Sequence, residues 1–228
     1  MKKNNDKEIV LKVEDVCYRY KDAPKDDYVL KNINYSFEKG LVYAIRGKSG
    51  SGKTTLLSLI SGLENKYEGK IFYKDKELKK MDLDVYRNTD IGIVFQSYNL
   101  LPHLTAIENI ILSMDISKVK VHDKISKSIE LMESVGLSSA LKDRRVLKLS
   151  GGEQQRVAIA RSLSYNPEII LADEPTGNLD HETENEILKI FCDLAHKQNK
   201  CVIIVTHSEN VCKLADIVFE LKKKNWKE

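Results

Sequence analysis

The segment Gly47–Thr54, GKSGSGKT, constrains the fold of this chain more than any other feature. It follows a short apolar run, LVYAIRG, that suits a buried strand, and residues 53–62 then show helical spacing of apolar side chains. The phosphate-binding pattern G-x-x-x-x-G-K-S/T requires this strand–loop–helix context. Its glycines let backbone N–H groups turn toward phosphate oxygens, and the helix N-terminus adds partial positive charge. We therefore expect Lys53 to reach the β- and γ-phosphates of a nucleotide and the Thr54 hydroxyl to lie on Mg²⁺.

Polar residues also stand at the C-terminal ends of three predicted buried strands, EIILADE, DIGIVFQ and KCVIIVTH. In open α/β sheets this edge is where ligands bind, so the residues are expected to meet near the phosphate loop, defined here as residues 47–54. In chain order these strand-end residues are Gln96, Asp173, Glu174 and His207.

Each strand-end residue has a chemical role that its side chain could fill. Asp173 is predicted to reach the Mg²⁺ shell, and Glu174 to polarise the attacking water. The Gln96 amide could ligate Mg²⁺ or hold water, and the His207 imidazole could contact a γ-phosphate. Taken alone, the two carboxylates are equally well explained as residues that cap a turn, and a lone Gln or His at a strand end is more often such a residue. The complete phosphate loop beside them is what favours the catalytic interpretation.

The alternation of strand and helix patterns predicts the fold class. Residues 9–45 show strand patterns that indicate an antiparallel flank, and the later buried strands alternate with helices, which indicates a largely parallel sheet. Residues ~97–160 are mostly helical in pattern and are interpreted as a subdomain. We expect one α/β domain over residues 1–228, a P-loop NTPase of RecA-like type with a mostly parallel sheet, an antiparallel β flank and an inserted α-helical subdomain.

Net charge, cysteine usage and hydropathy indicate which partners and which cellular compartment to expect. The net charge of +3, from 37 basic and 34 acidic residues, gives no argument for nucleic acid, and no such partner is expected. The four cysteines lie in apolar runs without a C-x-x-C pair, so we expect them to be reduced and buried. The N-terminus lacks the apolar stretch of a signal peptide, and no apolar run approaches the ~18 residues of a membrane span.

A second anion-binding pattern, LSGGEQQR, occupies residues 149–156. Ser-Gly-Gly at the start of a predicted helix is suited to holding an anion, although the segment carries neither a metal-ligand set nor a nucleophile with a base. The helix is predicted to end at Asn166-Pro167. Spacing alone leaves open whether this anion site serves the nucleotide of its own chain or that of another copy.

These motifs together resemble the nucleotide-binding subunits of ABC transporters, over residues ~9–221. The resemblance is carried by the phosphate loop, Gln96 in VFQ, LSGGEQQR, ILADEP, NLD at 178–180 and His207, which occur in the family's order and spacing. FQSYNLLPHLTAIENI and LADEPTGNLD are most similar to the subclass of macrolide export, lipoprotein release, bacitracin-type peptide resistance and cell-division signalling. Glu153 departs from the Gln that the wider family often has at that position.

The resemblance implies an ATP- and Mg²⁺-dependent ATPase that pairs head to tail. Tyr20, or less favourably Tyr18, would stack on adenine, and Asp180 would lie near the dimer seam. The expected catalytic residues are Glu174, His207 and Gln96, and the expected metal ligands are Thr54, Gln96 and Asp173. The expected nucleotide-binding residues are Tyr20, Gly47, Lys48, Ser49, Gly50, Ser51, Gly52, Lys53, Thr54 and Thr55 in cis, with Ser150, Gly151, Gly152 and Glu153 in trans.

The resemblance also implies partners and a location. We expect a second copy of the chain and a separate integral-membrane permease, contacted by the region after Gln96, with the protein cytoplasmic and peripheral on the inner face of the cell membrane. Export or extraction of a peptide, lipid-linked or drug-like substrate is the first hypothesis, and control of a non-transporting membrane signalling complex is the alternative. A DNA-repair or translation ATPase is disfavoured because heptads and a second phosphate loop are missing, and a small-molecule kinase does not account for LSGGEQQR.

Overall fold

The computed structural model describes residues 8–24 and 26–222 and contains two β-sheets flanked by helices. Residues 1–7, 25 and 223–228, which the predicted 1–228 domain includes, lie outside the described part. The strands are β1 (Ile9–Tyr18), β2 (Leu30–Glu38), β3 (Val42–Arg46), β4 (Glu68–Tyr73), β5 (Lys76–Glu77), β6 (Ile91–Val94), β7 (Ile169–Asp173), β8 (Cys201–Thr206) and β9 (Ile217–Glu220). The helices are α1 (Lys53–Ile60), α2 (Leu83–Thr89), α3 (Ala106–Ile116), α4 (Lys124–Ser134), α5 (Gly151–Ser162), α6 (His181–His196) and α7 (Glu209–Leu214).

The central sheet has the order β6-β7-β8-β3-β9, and every pairing in it is parallel. All six residues of β8 are buried, as are the first four residues of both β3 and β7, because this sheet is covered on both faces. Asp173 pairs with Val205 at the C-terminal edge, so the last residues of β7 and β8 stand side by side. The predicted parallel sheet is confirmed.

The antiparallel flank is also confirmed, as a second sheet of order β2-β1-β4-β5. Its inner face joins the central sheet through aromatic side chains. Phe37 of β2 makes an edge-to-face contact with Tyr43 of β3 at 5.0 Å between ring centroids, and Tyr35 stacks on Phe219 of β9 at 4.3 Å. Such pairs add stability beyond the area that they bury, so the two sheets share one core.

Helices α3, α4 and α5 pack against one another within the second core cluster. Helix α3 begins with a capping box: the Thr105 hydroxyl accepts from the Glu108 N–H, and the Glu108 carboxylate accepts from the Thr105 N–H at 2.8 Å. These helices fall in and just beyond the predicted helical region, but its boundaries at ~97–160 stay a prediction. None of the helices in the described residues is both long and apolar enough to cross a membrane.

Some local predictions were wrong. Helices α2 and α7 were not predicted, because a helix of six or seven residues gives too few turns for its period to be read. Helix α5 ends at Ser162, earlier than predicted, and Asn166 then adopts φ 54°, a left-handed turn conformation. All four cysteines are free, but only Cys17 and Cys201 are buried. Cys192 and Cys212, which were also predicted to be buried, are half-buried.

Candidate functional site

The phosphate loop leads into α1 without a side chain that caps the helix. Gly50 and Gly52 have φ of 74° and 96°, values that only glycine adopts easily, and Gly52 is the N-cap of α1. Gly52 has no capping side chain, and the first turn of α1 carries no acidic residue. The N–H groups at this helix start therefore have no side-chain acceptor, which is the arrangement that favours a bound anion.

Lys53 lies at the base of this loop. Its Nζ donates a hydrogen bond to the Gly47 carbonyl at 2.8 Å and stands 3.5 Å from Glu174 Oε1. The Lys53 side chain is 9 % exposed and that of Glu174 is 12 % exposed, so the cation and the carboxylate face each other in a poorly solvated place. A phosphate oxygen that entered the loop would compete with these two acceptors for the Lys53 ammonium.

Asp173 lies at the C-terminal end of β7 beside Thr54. Burial raises the pKa of Asp173 above its ordinary value and the charge of Glu174 raises it further, while a hydrogen bond with Thr54 and the charge of Lys53 oppose this rise. A half-buried carboxylate in contact with an exposed hydroxyl supplies two oxygen ligands of the kind that Mg²⁺ prefers. The residues present therefore fit a magnesium ion at this position.

Glu174 combines a left-handed backbone conformation with polar partners on both of its carboxylate oxygens. Its φ is 44°, which is strained for a residue with a Cβ, and such strain is often found at functional sites. Glu174 Oε2 accepts from the Thr206 hydroxyl at 3.0 Å and from the His207 N–H at 3.2 Å, and Oε1 lies 2.8 Å from His207 Nδ1. The strand end of β8 thus fixes the direction of the Glu174 carboxylate, while the His207 ring is 68 % exposed.

These groups line one cavity of about 630 Å³. Tyr20 is 55 % exposed at one wall and its hydroxyl lies 3.1 Å from Thr55 Oγ1, whereas Tyr18 is only 7 % exposed. The structure therefore brings Tyr20, the favoured aromatic, to the cavity and leaves Tyr18 in the core. The lining comprises Tyr20, Val29, Ser49, Gly50, Gly52, Lys53, Thr54, Thr55, Gln96, Asp173, Glu174 and His207.

The LSGG segment lies elsewhere. Ser150 is the N-cap of α5, and with Glu153 it forms a second capping box: the Ser150 hydroxyl accepts from the Glu153 N–H at 3.3 Å, and Glu153 Oε2 accepts from the Ser150 N–H at 2.7 Å. Among the described residues, the cavity lining includes neither Ser150 nor the glycines that follow it. A Cβ on Gly152 would come within 2.6 Å of the Thr183 side chain, so α5 packs closely on α6 at this point.

Sequence reasoning missed some residues of the site. Val29 lines the cavity, and Thr206, which is 1 % exposed, orients the Glu174 carboxylate. Neither was singled out in the sequence, because an ordinary strand or turn residue would fit equally well at each position. The capping role of Glu153 had a readable signal, since S-x-x-E before a helix is the spacing of a capping box.

The protein-family model described as ABC transporter matches residues 30–177. The ABC transporter ATP-binding protein YclH of Bacillus subtilis is 45 % identical over 214 residues, which cover 94 % of each chain. The ABC transporter ATP-binding protein MT1014 of Mycobacterium tuberculosis is 39 % identical over 217 residues, which cover 93 % of this chain and 87 % of that protein.

Solved structures agree with this likeness. A dimeric structure of MJ0796, described as a bacterial ABC transporter cassette, is 34 % identical with a TM-score of 0.83, covering 94 % of this chain and 97 % of that one. A dimeric post-hydrolysis state of MJ0796 bound to ADP and Pi gives a TM-score of 0.84. The cbiO1 protein of Clostridium perfringens, described as part of the ABC transporter complex cbiONQ, is 30 % identical with a TM-score of 0.82, covering 93 % of this chain and 84 % of that one.

Proposed function

The chain belongs to the ABC transporter family as an ATP-binding cassette with ATPase activity, and from this premise we propose that two copies pair head to tail to drive a separate integral-membrane permease. The observation that carries the hydrolytic part of this function is the meeting of Lys53, Asp173 and Glu174 at the mouth of a phosphate loop. A cation, a metal-binding carboxylate and a second carboxylate are the groups that phosphoryl transfer to water needs.

Each group has a task in this mechanism. The loop N–H groups and Lys53 hold the phosphate chain and neutralise charge on the γ-phosphate as it leaves. Mg²⁺, held by Thr54 and Asp173 with Gln96 as a further ligand, would neutralise charge on the β- and γ-phosphates. Glu174, oriented by Thr206 and His207, accepts the proton of the attacking water. The exposed ring of His207 lines the same cavity and is proposed to contact the γ-phosphate.

Binding of the adenine ring of ATP is assigned to Tyr20. Its exposed ring stands at the cavity wall, supported edge-to-face by Tyr18 at 5.3 Å between centroids. Stacking on a π-face is tolerant of which base is bound, so Tyr20 contributes affinity more than selectivity. The loop residues Gly47, Lys48, Ser49, Gly50, Ser51, Gly52 and Thr55 are proposed to bind phosphate through their backbone N–H groups or hydroxyls.

The second half of the nucleotide site is proposed to come from another copy. Gly151 and Gly152 begin α5 with N–H groups suited to a phosphate and Ser150 caps this helix, yet none of the three is among the described residues that line their own chain's cavity. The dimeric state of the MJ0796 cassettes supports a paired arrangement. Glu153, which caps the same helix, is proposed to hold Ser150 in orientation, and Asp180 is proposed to lie at the dimer seam.

The membrane partner defines the biological role. We place the cassette at the cytoplasmic face of the cell membrane, docked through the region after Gln96 on a permease that exports or extracts a peptide, lipid-linked or drug-like substrate. Support comes from the transporter names of the relatives and from cbiO1, described as part of a transporter complex. A non-transporting signalling complex of cell-division type is the second candidate, because FQSYNLLPHLTAIENI and LADEPTGNLD resemble that subclass equally well.

Two measurements test the proposal. Purified protein should release inorganic phosphate from ATP only when Mg²⁺ is present, and transfer of the phosphoryl group to a small molecule would contradict the ATPase assignment. Purification of the native membrane complex should recover an integral-membrane protein, and its reconstitution in vesicles should show ATP-dependent substrate movement. Recovery of a membrane protein that moves no substrate and controls a cell-wall hydrolase would favour the signalling alternative.

A further inference from the structure

Glu184 makes two contacts that no role described so far requires. It lies on α6, one turn after the N-cap residue Asp180, and its Oε1 accepts a hydrogen bond from the Thr176 hydroxyl at 3.1 Å. The same oxygen accepts from the Ser208 hydroxyl at 3.0 Å. Two hydroxyls from separate loops therefore converge on a single carboxylate oxygen.

The two hydroxyls belong to the loops that carry the proposed catalytic groups. Thr176 is 6 % exposed and lies two residues after Glu174, in the loop that leads to Asp180. Ser208 directly follows His207, and the carboxylate of Glu184 thus ties the loop after β7 and the loop after β8 to the same turn of α6.

A chain of hydrogen bonds leads from this junction to the Glu174 carboxylate. The Ser208 N–H donates to Thr206 Oγ1 at 2.9 Å, and Thr206 Oγ1 donates to Glu174 Oε2 at 3.0 Å. Glu184 itself is not among the residues described as lining the cavity. It can therefore influence the reaction only through the loops that it holds.

We propose that Glu184 is a positioning residue for ATP hydrolysis, which keeps Glu174 and His207 in register by holding Thr176 and Ser208. The inference rests on the proposed roles of Glu174 and His207. A helix is stiff over one turn of about 5.4 Å, so α6 also fixes Glu184 relative to Asp180 at the proposed dimer seam. A shift of the seam would thus reach both catalytic loops through one side chain.

Replacement of Glu184 tests this in the full-length protein. For Glu184→Ala we expect kcat to fall by about tenfold or more, because small misplacement of catalytic groups is costly. The affinity for ATP should change less than about twofold, since the phosphate loop and Tyr20 are untouched. Glu184→Gln should restore most of kcat, because an amide oxygen can accept both hydroxyl bonds. Asp193→Ala, which removes a carboxylate from the far end of the same helix, is the matched control and should leave kcat unchanged.

A mutant cycle separates positioning from loss of stability. Thr176→Val with Ser208→Ala removes both donors, and adding Glu184→Ala to this double variant should lower kcat by less than about twofold, because residues that act as one unit are not additive. An unchanged kcat in Glu184→Ala, or a full additional tenfold loss in the triple variant, would overturn the proposal. A Glu184→Gln variant that keeps the thermal midpoint of the wild type but hydrolyses ATP as slowly as Glu184→Ala would also overturn the proposal.

Failure of this inference is distinguishable from failure of the proposed function. If Glu174→Gln abolishes hydrolysis while Glu184→Ala retains full kcat, the hydrolytic site stands and only the positioning role is wrong. If Glu174→Gln itself hydrolyses ATP normally, the assignment of the site is wrong as well.

Discussion

The N-termini of α1 and α5 both carry glycine, at the N-cap of α1 and in the first turn of α5, yet their donors are used differently. At α1 the N-cap is Gly52, without a side chain to accept a bond, and Lys53 brings a positive charge. At α5 the N-cap Ser150 and Glu153 satisfy one N–H each in a capping box. The first helix start has no side-chain acceptor of its own, whereas two N–H groups of the second are already bonded by its own side chains.

The difference supports the proposal that the nucleotide site is divided between two copies. A helix start that has no side-chain acceptor and carries a lysine is suited to hold the phosphates of a nucleotide within one chain. The self-capped start of α5 has less to gain from an anion, which fits the proposal that it meets ATP already held by another copy. We call the phosphate loop with the start of α1 the loading half, and the start of α5 the closing half. The variants that follow separate the contributions of these two helix starts.

The largest effect is expected from Glu174→Gln, which keeps the shape of the side chain but removes the base. Hydrolysis should fall by about 10²-fold or more, since a positioned general base contributes that much, while ATP binding and ATP-driven pairing persist. Phosphate release and size-exclusion chromatography with ATP measure the two properties. Glu209→Gln, at an exposed carboxylate that pairs with Arg46, is the control, and near-normal turnover of Glu174→Gln would refute the base assignment.

Lys53→Ala should weaken ATP binding by about 10- to 100-fold, because hydrogen bonds to a charged group contribute roughly 1.5–3 kcal/mol and each 1.4 kcal/mol is tenfold. Calorimetric titration of ATP measures this loss. Lys189→Ala removes an exposed lysine from α6 and should bind ATP as the wild type does. If the two variants bound ATP with equal affinity, the positive charge of Lys53 would have no role in nucleotide binding by the phosphate loop.

Tyr20→Ala should weaken ATP affinity by about tenfold, in keeping with roughly 1–3 kcal/mol for stacking of a base on an aromatic ring. Tyr20→Phe keeps the ring and loses only the contact with Thr55, so its affinity should stay close to that of the wild type. Fluorescence titration with an adenine nucleotide compares the two. If Tyr20→Phe were as weak as Tyr20→Ala, the hydroxyl and not the ring would be the important group.

The smallest effect sharpens the comparison of helix starts. Ser150→Ala and Thr105→Ala each remove an N-cap hydroxyl from a capping box, so each should lower the free energy of unfolding by about 1 kcal/mol in urea. Only Ser150→Ala should also reduce ATP-driven pairing, because only that helix start is proposed to meet a nucleotide. Equal pairing of both variants would mean that the α5 N-terminus has only a structural role.

Much of the site could be predicted because parallel strands end at one edge. The sequence placed Asp173, Glu174 and His207 at strand ends, and pairing of β7 with β8 brings Glu174 within hydrogen-bond reach of His207. Tyr20 was favoured over Tyr18 through the family resemblance alone. In the structure β1 ends at Tyr18, which is 7 % exposed, whereas Tyr20 lies beyond the strand and is 55 % exposed.

What the sequence did not reveal depends on tertiary contacts. Glu184 was only one polar residue of a predicted helix, because its contacts with Thr176, in the loop before α6, and with Ser208, after β8, form only in the folded chain. Thr206 was indistinguishable from other β-branched strand residues until its hydroxyl was seen on Glu174. The burial expected for Cys192 and Cys212 was wrong because an apolar run does not specify which of its residues faces the core.

The composite nature of the site is tested most directly with mixed dimers in a Glu174→Gln background, by counting occluded ATP per dimer. One dimer carries Lys53→Ala on one copy and Ser150→Arg on the other, and its counterpart carries both changes on the same copy beside an unchanged one. If phosphate loop and LSGG act across the seam, the first dimer retains one intact site and occludes ATP, and the second occludes none. The opposite pattern, with ATP occluded only by the second dimer, would show that both halves act within one chain and would contradict the account.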